Sequence, residues 1–137
     1  MKNIPLFFGQ SKYMKIFRIF LTKNCDLNLK NNSKNTVLHL LLEHPQNFHT
    51  DYIKLLIQNK CNVNLQNKFG HCAIVNSIYN YRYEQVKYLL NNGAIISDFE
   101  LKVATKSLNY CDSYARGNAT LILNIISNKL SNQKNKI

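Results

Sequence analysis

Acidic residues are scarce in this chain: seven Asp and Glu stand against eighteen Lys and Arg, for a formal net charge of +11. So few carboxylates leave little material for paired acid–base chemistry, and Asp98 and Glu100 suit the opening of a helix instead. Glycine occurs four times and forms no Gly-rich phosphate loop. No Ser/His/Asp or Cys/His pair has the context of a nucleophile elbow. The four cysteines, Cys25, Cys61, Cys72 and Cys111, never make a C-x-x-C pair, which points to reduced thiols packed as small apolar groups. No apolar run approaches a membrane span; the nearest, Met14 to Leu21, is interrupted by Lys15 and Arg18. The opening "MKNIPLFFGQSK" has no sustained apolar region and no small-residue cleavage site, so no secretory signal and a cytoplasmic location are expected. These absences predict a protein that is not an enzyme and holds no cofactor.

With 45% hydrophobic and 18% charged residues in 137, the composition is that of one soluble globular domain. The positive charge raises the prospect of an acidic or phosphate-bearing partner. Lysine supplies 15 of the 18 positive charges and asparagine occurs 21 times, so part of the charge reflects the bias of an AT-rich genome. His39, His44 and His49 recur every five residues, which puts them on different helix faces, and Pro45 breaks the helix between them. His71 adjoins Cys72. None of these has zinc-ligand spacing, and no metal is expected. Cys111 falls in a loop and is expected to be the exposed, oxidisable thiol. "YNYRYEQVKYLL" (79–90) interleaves tyrosines with Arg82 and Lys87, a pattern that can stack on bases. The helical register instead puts Tyr88 in an apolar stripe and Tyr81 and Tyr83 at a turn, leaving only Tyr79 on an open face.

Three segments align: "FRIFLTKNCDLNLK" (17–30), "IKLLIQNKCNVNLQ" (53–66) and "VKYLLNNGAIISDF" (86–99). Each is a short amphipathic helix, a turn-forming pair, a small residue and an apolar/polar alternation. Asn28 and Asn64 are 36 residues apart, and Asn64 and Ser97 are 33 apart. The following stretches, 31–44 and 67–80, also correspond, which gives a unit of turn, helix, loop and helix. "TVLH" (36–39), "NCDLN", "KCNVN" and "NGAII" in this register resemble the ankyrin repeat, whose units open with T-P-L-H and close on G-A-D-V-N.

The resemblance implies an all-α fold: an ankyrin-repeat solenoid of antiparallel helix pairs joined by short β-turn or hairpin tips. A single domain over 1–131 is expected, with repeats near 4–30, 31–66, 67–99 and a degenerate terminal repeat over 100–131. Residues 132–137 are expected to be a disordered tail. Helices are predicted near 12–23, 36–44, 51–59, 72–79, 84–92, 99–108 and 118–130. Asp98 is the predicted N-cap of the sixth, and "NYCDSYARG" with Gly117 reads as a loop. Pro5-Leu6 stands for the family's P-L in the shortened first repeat. The second repeat's three extra residues fall in "PQNFHT" (45–50), between its helices, where Thr50 or Asp51 can cap the next helix.

Thr36 can cap its helix and His39 lies one turn along the same face. The resemblance implies that their polar groups bond to each other and to nearby backbone, which makes His39 structural. In the third repeat Cys72 and Val75 replace both partners together, which removes the network without stranding either half.

The family's register implies a partner-binding face on the turn tips Lys30, Asn32, Ser33 and Asn35, then Gln66, Lys68, Phe69 and His71. First helices add Glu43 and His44, then Tyr79 and Asn80. Phe69 either stands out as an anchor or folds back onto its own turn; the sequence leaves both open. The function implied is non-catalytic protein–protein recognition through a concave face, with the chain a monomer and the partner a protein with an acidic surface. Lys/Asn-rich ankyrin proteins of large DNA viruses and intracellular parasites suggest by analogy a host protein, met in the host cytoplasm or nucleus. Two alternatives stay open: electrostatic binding of nucleic acid or an anionic membrane, and a truncated piece of a longer ankyrin protein.

Overall fold

The structure, a computed structural model, describes residues 11–43 and 50–136, with side chains from residue 17 onward. It holds α1 (Ser11–Thr22), α2 (Val37–Glu43), α3 (Thr50–Gln58), α4 (Ile74–Tyr79), α5 (Tyr83–Asn91), α6 (Asp98–Tyr110) and α7 (Arg116–Lys134). Among the described residues sheet pairing is limited to one antiparallel bridge, Gln66 with Cys72. The fold class is all-α, as the repeat pattern implies. No helix among the described residues is long and apolar enough to cross a membrane.

The chain divides into two compact units, Met1–Cys72 and Ala73–Ile137. The boundary falls inside the expected third repeat, between its turn and its first helix. In the first unit α2 and α3 pack through Leu38, Leu41, Leu42, Ile53 and Leu56, all nearly or fully inaccessible to solvent. Their spacing of three and four puts them on one stripe of each helix. Phe17 of α1 meets buried Tyr52 edge-on, ring centroids 4.9 Å apart. Burial, with the Asp51 charge beside it, pushes the Tyr52 hydroxyl above its ordinary pKa. In the second unit α4 packs on α5 and α6, and α7 lies against both α5 and α6. Ile74, Ile78, Leu89, Ile122 and Ile126 fill that core.

Each second helix ends the same way. Asn24, Lys60 and Gly93 follow α1, α3 and α5 with φ of 51°, 61° and 90°. After α3 the Cys61 N–H bonds to the Leu56 carbonyl and the Lys60 N–H to Ile57. After α5 Ala94 bonds to Leu89 and Gly93 to Leu90. Both are Schellman caps, which need a left-handed residue that glycine adopts freely. Lys60 bears a left-handed penalty of about 1–2 kcal/mol, partly offset because glycine loses more chain entropy on folding. Lys60→Gly is therefore expected to stabilise by up to about 1 kcal/mol, read from the urea midpoint.

Several sequence expectations are corrected. The N-cap of α6 is Ser97, not Asp98: its Oγ accepts the Phe99 N–H at 3.2 Å while Glu100 accepts the Ser97 N–H at 2.8 Å. Asp98 is the first helical residue, and Glu100 is buried by this capping box. The loop between α6 and α7 shrinks to residues 111–115 because the Asp112 carboxylate accepts the Ala115 N–H at 2.8 Å and starts α7 early. Gly117 thus lies within α7. That helix also runs through Lys134, into the segment expected to fray, with Leu130 buried as its last apolar anchor. Cys111 is buried and donates to the Leu108 carbonyl, whereas Cys25 is exposed. Burial raises the Cys61 thiol to about 11, so it stays protonated and unreactive. The expectations on Pro5-Leu6 and on residues 45–49 lie outside the described residues.

Candidate protein-recognition site

Two turns of the first unit, 31–35 and 67–71, are built alike. The Asn31 Oδ1 accepts the N–H groups of Ser33 and Asn35, each at 3.0 Å. Asn67 Oδ1 accepts those of Phe69 at 2.9 Å and His71 at 3.1 Å. Asparagine suits the place because its short carbonyl reaches backbone two and four residues on. The backbone N–H of Asn31 bonds to Asn35, and that of Asn67 to His71. Lys34 and Gly70 occupy the same left-handed step, with φ of 56° and 75°.

The two turns are also tied to each other. The Lys68 N–H donates to the Ser33 carbonyl at 3.0 Å. The Lys30 Nζ donates to the Gln66 carbonyl at 2.8 Å, and the Asn62 N–H donates to Asn28 Oδ1 at 2.8 Å. Buried His39 completes the set. Its Nδ1 lies 2.9 Å from Thr36 Oγ1 and accepts the Thr36 N–H at 3.2 Å. Its Nε2 lies 2.9 Å from the His71 carbonyl. Only the neutral tautomer with hydrogen on Nε2 serves both ends, since a carbonyl can only accept.

Burial holds the His39 pKa below the ordinary 6.5. The bond to His71 raises it, the Lys30 charge lowers it, Glu43 raises it and the His71 ring lowers it. The unfolded chain therefore takes the proton more readily than the folded one. The stability this group contributes is fully present above about pH 6.5 and is lost as the pH falls through that value toward the folded-state pKa. The urea midpoint is expected to be lower at about pH 5 than at about pH 7, and His39→Val should flatten that part of the slope.

The structure gathers the turn-tip residues named from the sequence but gives them unequal parts. Lys30, Asn32, Gln66 and Lys68 are exposed, while Ser33, Asn35 and His71 are half-buried. Phe69 stands out, 68% exposed, with Lys68 Nζ 4.9 Å from its ring centroid and the His71 ring 6.1 Å away. Ser33 gives its carbonyl to the next turn, and the Asn35 Oδ1 is enclosed without a hydrogen-bond partner. Lys30 is a strut between the turns, so Lys30→Ala removes a structural bond as well as a charge. Glu43 is exposed at the end of α2, and His44 lies outside the described residues. In the second unit Tyr79 is exposed and Asn80 half-buried at the end of α4. Tyr81 turns the chain with φ 55°, and its hydroxyl reaches the Ser107 carbonyl at 3.4 Å. Tyr88 is half-buried.

Sequence reasoning missed Asn31 and Asn67, although their 36-residue spacing carried the signal. The nearby backbone partner expected for His39 is there in the Thr36 N–H, but its second partner, the carbonyl 32 residues on, was missed. Among the described residues no three His, Cys, Asp or Glu side chains are grouped to hold a metal.

No curated protein matches the chain. The family model described as ankyrin repeats, three copies, matches residues 8–102, which is 95 of 137 residues. With the same turn and the same helix cap recurring in register, the chain belongs to the ankyrin-repeat family.

Proposed function

We propose that this protein is a non-catalytic recognition module whose turn tips hold a protein partner with an acidic surface. Ankyrin repeats are generally protein–protein interaction modules, which sets the class. The observation that carries the reading is Phe69, a large apolar ring 68% exposed on a turn braced from inside and from its neighbour. A braced turn loses little freedom on binding, so the ring's burial goes largely into affinity. Aromatic anchors supply much of the energy at interfaces, and lysines such as Lys68 steer an acidic surface and set its on-rate. Four free thiols support the cytoplasmic location that the sequence implies. On this reading the chain acts as a monomer over 1–131.

The +11 charge favours a second reading, attachment to nucleic acid or another polyanion by basic surface alone. Phe69→Ala separates the two. It is expected to weaken partner binding by about 2 kcal/mol, roughly thirtyfold, with an unchanged circular dichroism spectrum. Binding that survives Phe69→Ala but is abolished by alanine at exposed Lys54 and Lys87 would establish the polyanion reading instead.

A further inference from the structure

The caps that close α3 and α5 are built alike but differ at one chemical point. Asn59 Nδ2 donates to the Leu55 carbonyl and Asn92 Nδ2 to the Tyr88 carbonyl, each at 2.8 Å. The left-handed residue that follows is Lys60 in the first cap and Gly93 in the second. Asn92 is thereby the one asparagine of 21 that precedes a glycine. Asn92 and Gly93 are both exposed, and beyond the chain neighbours no atom lies within 4 Å of where a Cβ on Gly93 would stand. Water and base thus reach the Gly93 nitrogen on the side that a side chain would screen. Its bond to the Leu90 carbonyl is 3.5 Å long, against 2.9 Å for Lys60 to Ile57.

We propose that Asn92 and Gly93 form a self-modification site, at which spontaneous deamidation converts the cap amide to a carboxylate and loosens the second unit with age. The Gly93 main-chain nitrogen gives its proton to solvent base and attacks Asn92 Cγ. The Cγ–Nδ2 bond breaks, ammonia leaves, and a five-membered succinimide remains. Water opens the ring at either carbonyl, giving aspartate or isoaspartate; nothing is oxidised or reduced. The folded cap restrains the first step. Ring closure demands a ψ far from the 27° of Asn92, and the amide is held back on Tyr88, so the nitrogen meets Cγ only when the cap frays. Helix ends open locally at a fraction of the cost of global unfolding. Both products damage the cap. A carboxylate cannot donate to the Tyr88 carbonyl, and it places negative charge at the carbonyl end of the helix. Isoaspartate adds a methylene to the main chain before Gly93, which moves Gly93 and Ala94 off their acceptors Leu90 and Leu89. Both leucines are buried, so the damage adjoins the core of the second unit. The site stands independently of what the protein recognises.

The test is to age the whole chain at mildly alkaline pH and body temperature, digest it at acid pH where the reaction is slow, and map the peptides by mass spectrometry. The peptide holding Asn92 is expected to gain the mass difference between amide and acid and to split into two chromatographic species. The peptide holding Asn59 should stay intact. Exchanging the two left-handed residues tests the cause: Gly93→Lys should stop the conversion at Asn92, and Lys60→Gly should start it at Asn59. A synthetic peptide of residues 86–99 should convert faster than the folded chain, which measures the restraint of the cap. Aged chain and fresh Asn92→Asp should both unfold at a lower urea midpoint than fresh wild type. Asn92→Gln, whose longer amide closes such a ring far more slowly, should hold its midpoint through ageing. Asn92 intact in the aged chain while the free peptide converts would overturn the proposal. Equal conversion at Asn59, or an unchanged midpoint in the converted chain, would overturn it as well.

Discussion

Leu56→Ala is expected to destabilise the protein by about 2–5 kcal/mol. Leu56 is fully buried in α3, and its carbonyl accepts the Cys61 N–H that closes the helix cap. The substitution leaves that bond but removes three buried carbons from a stripe shared with Ile53 and with the leucines of α2. The lost transfer energy and the cavity both count, because a packed interior collapses only partly around a void. Against a total stability of about 5–15 kcal/mol for a native domain, the loss is large enough to leave a fraction of molecules unfolded at body temperature. Lys54→Ala, one turn-face away and exposed, is the control and should stay within about 0.5 kcal/mol. Urea unfolding of the two variants checks the pair.

His39→Val should cost about 1–3 kcal/mol, and Thr36→Val less. Removing the imidazole strands the Thr36 hydroxyl and backbone N–H and takes the Nε2–H donor from the His71 carbonyl, which the Asn67 N–H still reaches. Removing the Thr36 hydroxyl leaves the Thr36 N–H still on Nδ1. The double variant, which approaches the arrangement at Cys72 and Val75, should lose less than the sum of the two, with a coupling of about 0.5–3 kcal/mol. Additive losses in the four unfolding curves would mean that the two side chains share no network.

These two residues also mark how far sequence carries. The side-chain pairing of Thr36 with His39 is local, so a spacing of three expressed it. The other end of His39 is a backbone carbonyl in the next turn, and a backbone atom has no letter in the sequence. Repetition made the family and the helix order legible, because a unit that cannot bury its own apolar stripe must recur in register. Ends of helices were harder. Ser97-x-x-Glu100 carried the capping-box signature, yet the neighbouring Asp98 offered an equally good oxygen, and only the geometry chooses. Phe69 was undecided for a related reason. Hydrophobicity alone favours burial, and what turns the ring outward is a set of backbone bonds to Asn67 and Ser33. Cys111 was read as exposed from its polar neighbours, but tertiary packing covers it.

The central claim, recognition of a protein through an anchored turn rather than of a polyanion through net charge, is tested most directly by capture from lysate. Wild-type chain and Phe69→Ala are used as parallel baits, each washed at about 0.15 M and about 0.5 M salt, where exposed charges are screened over roughly 8 Å and 4 Å. The expected result is a protein retained by the wild type through the high-salt wash and lost from Phe69→Ala at both. Nucleic acid or acidic protein captured equally by both baits, and released from both by the high-salt wash, would contradict it.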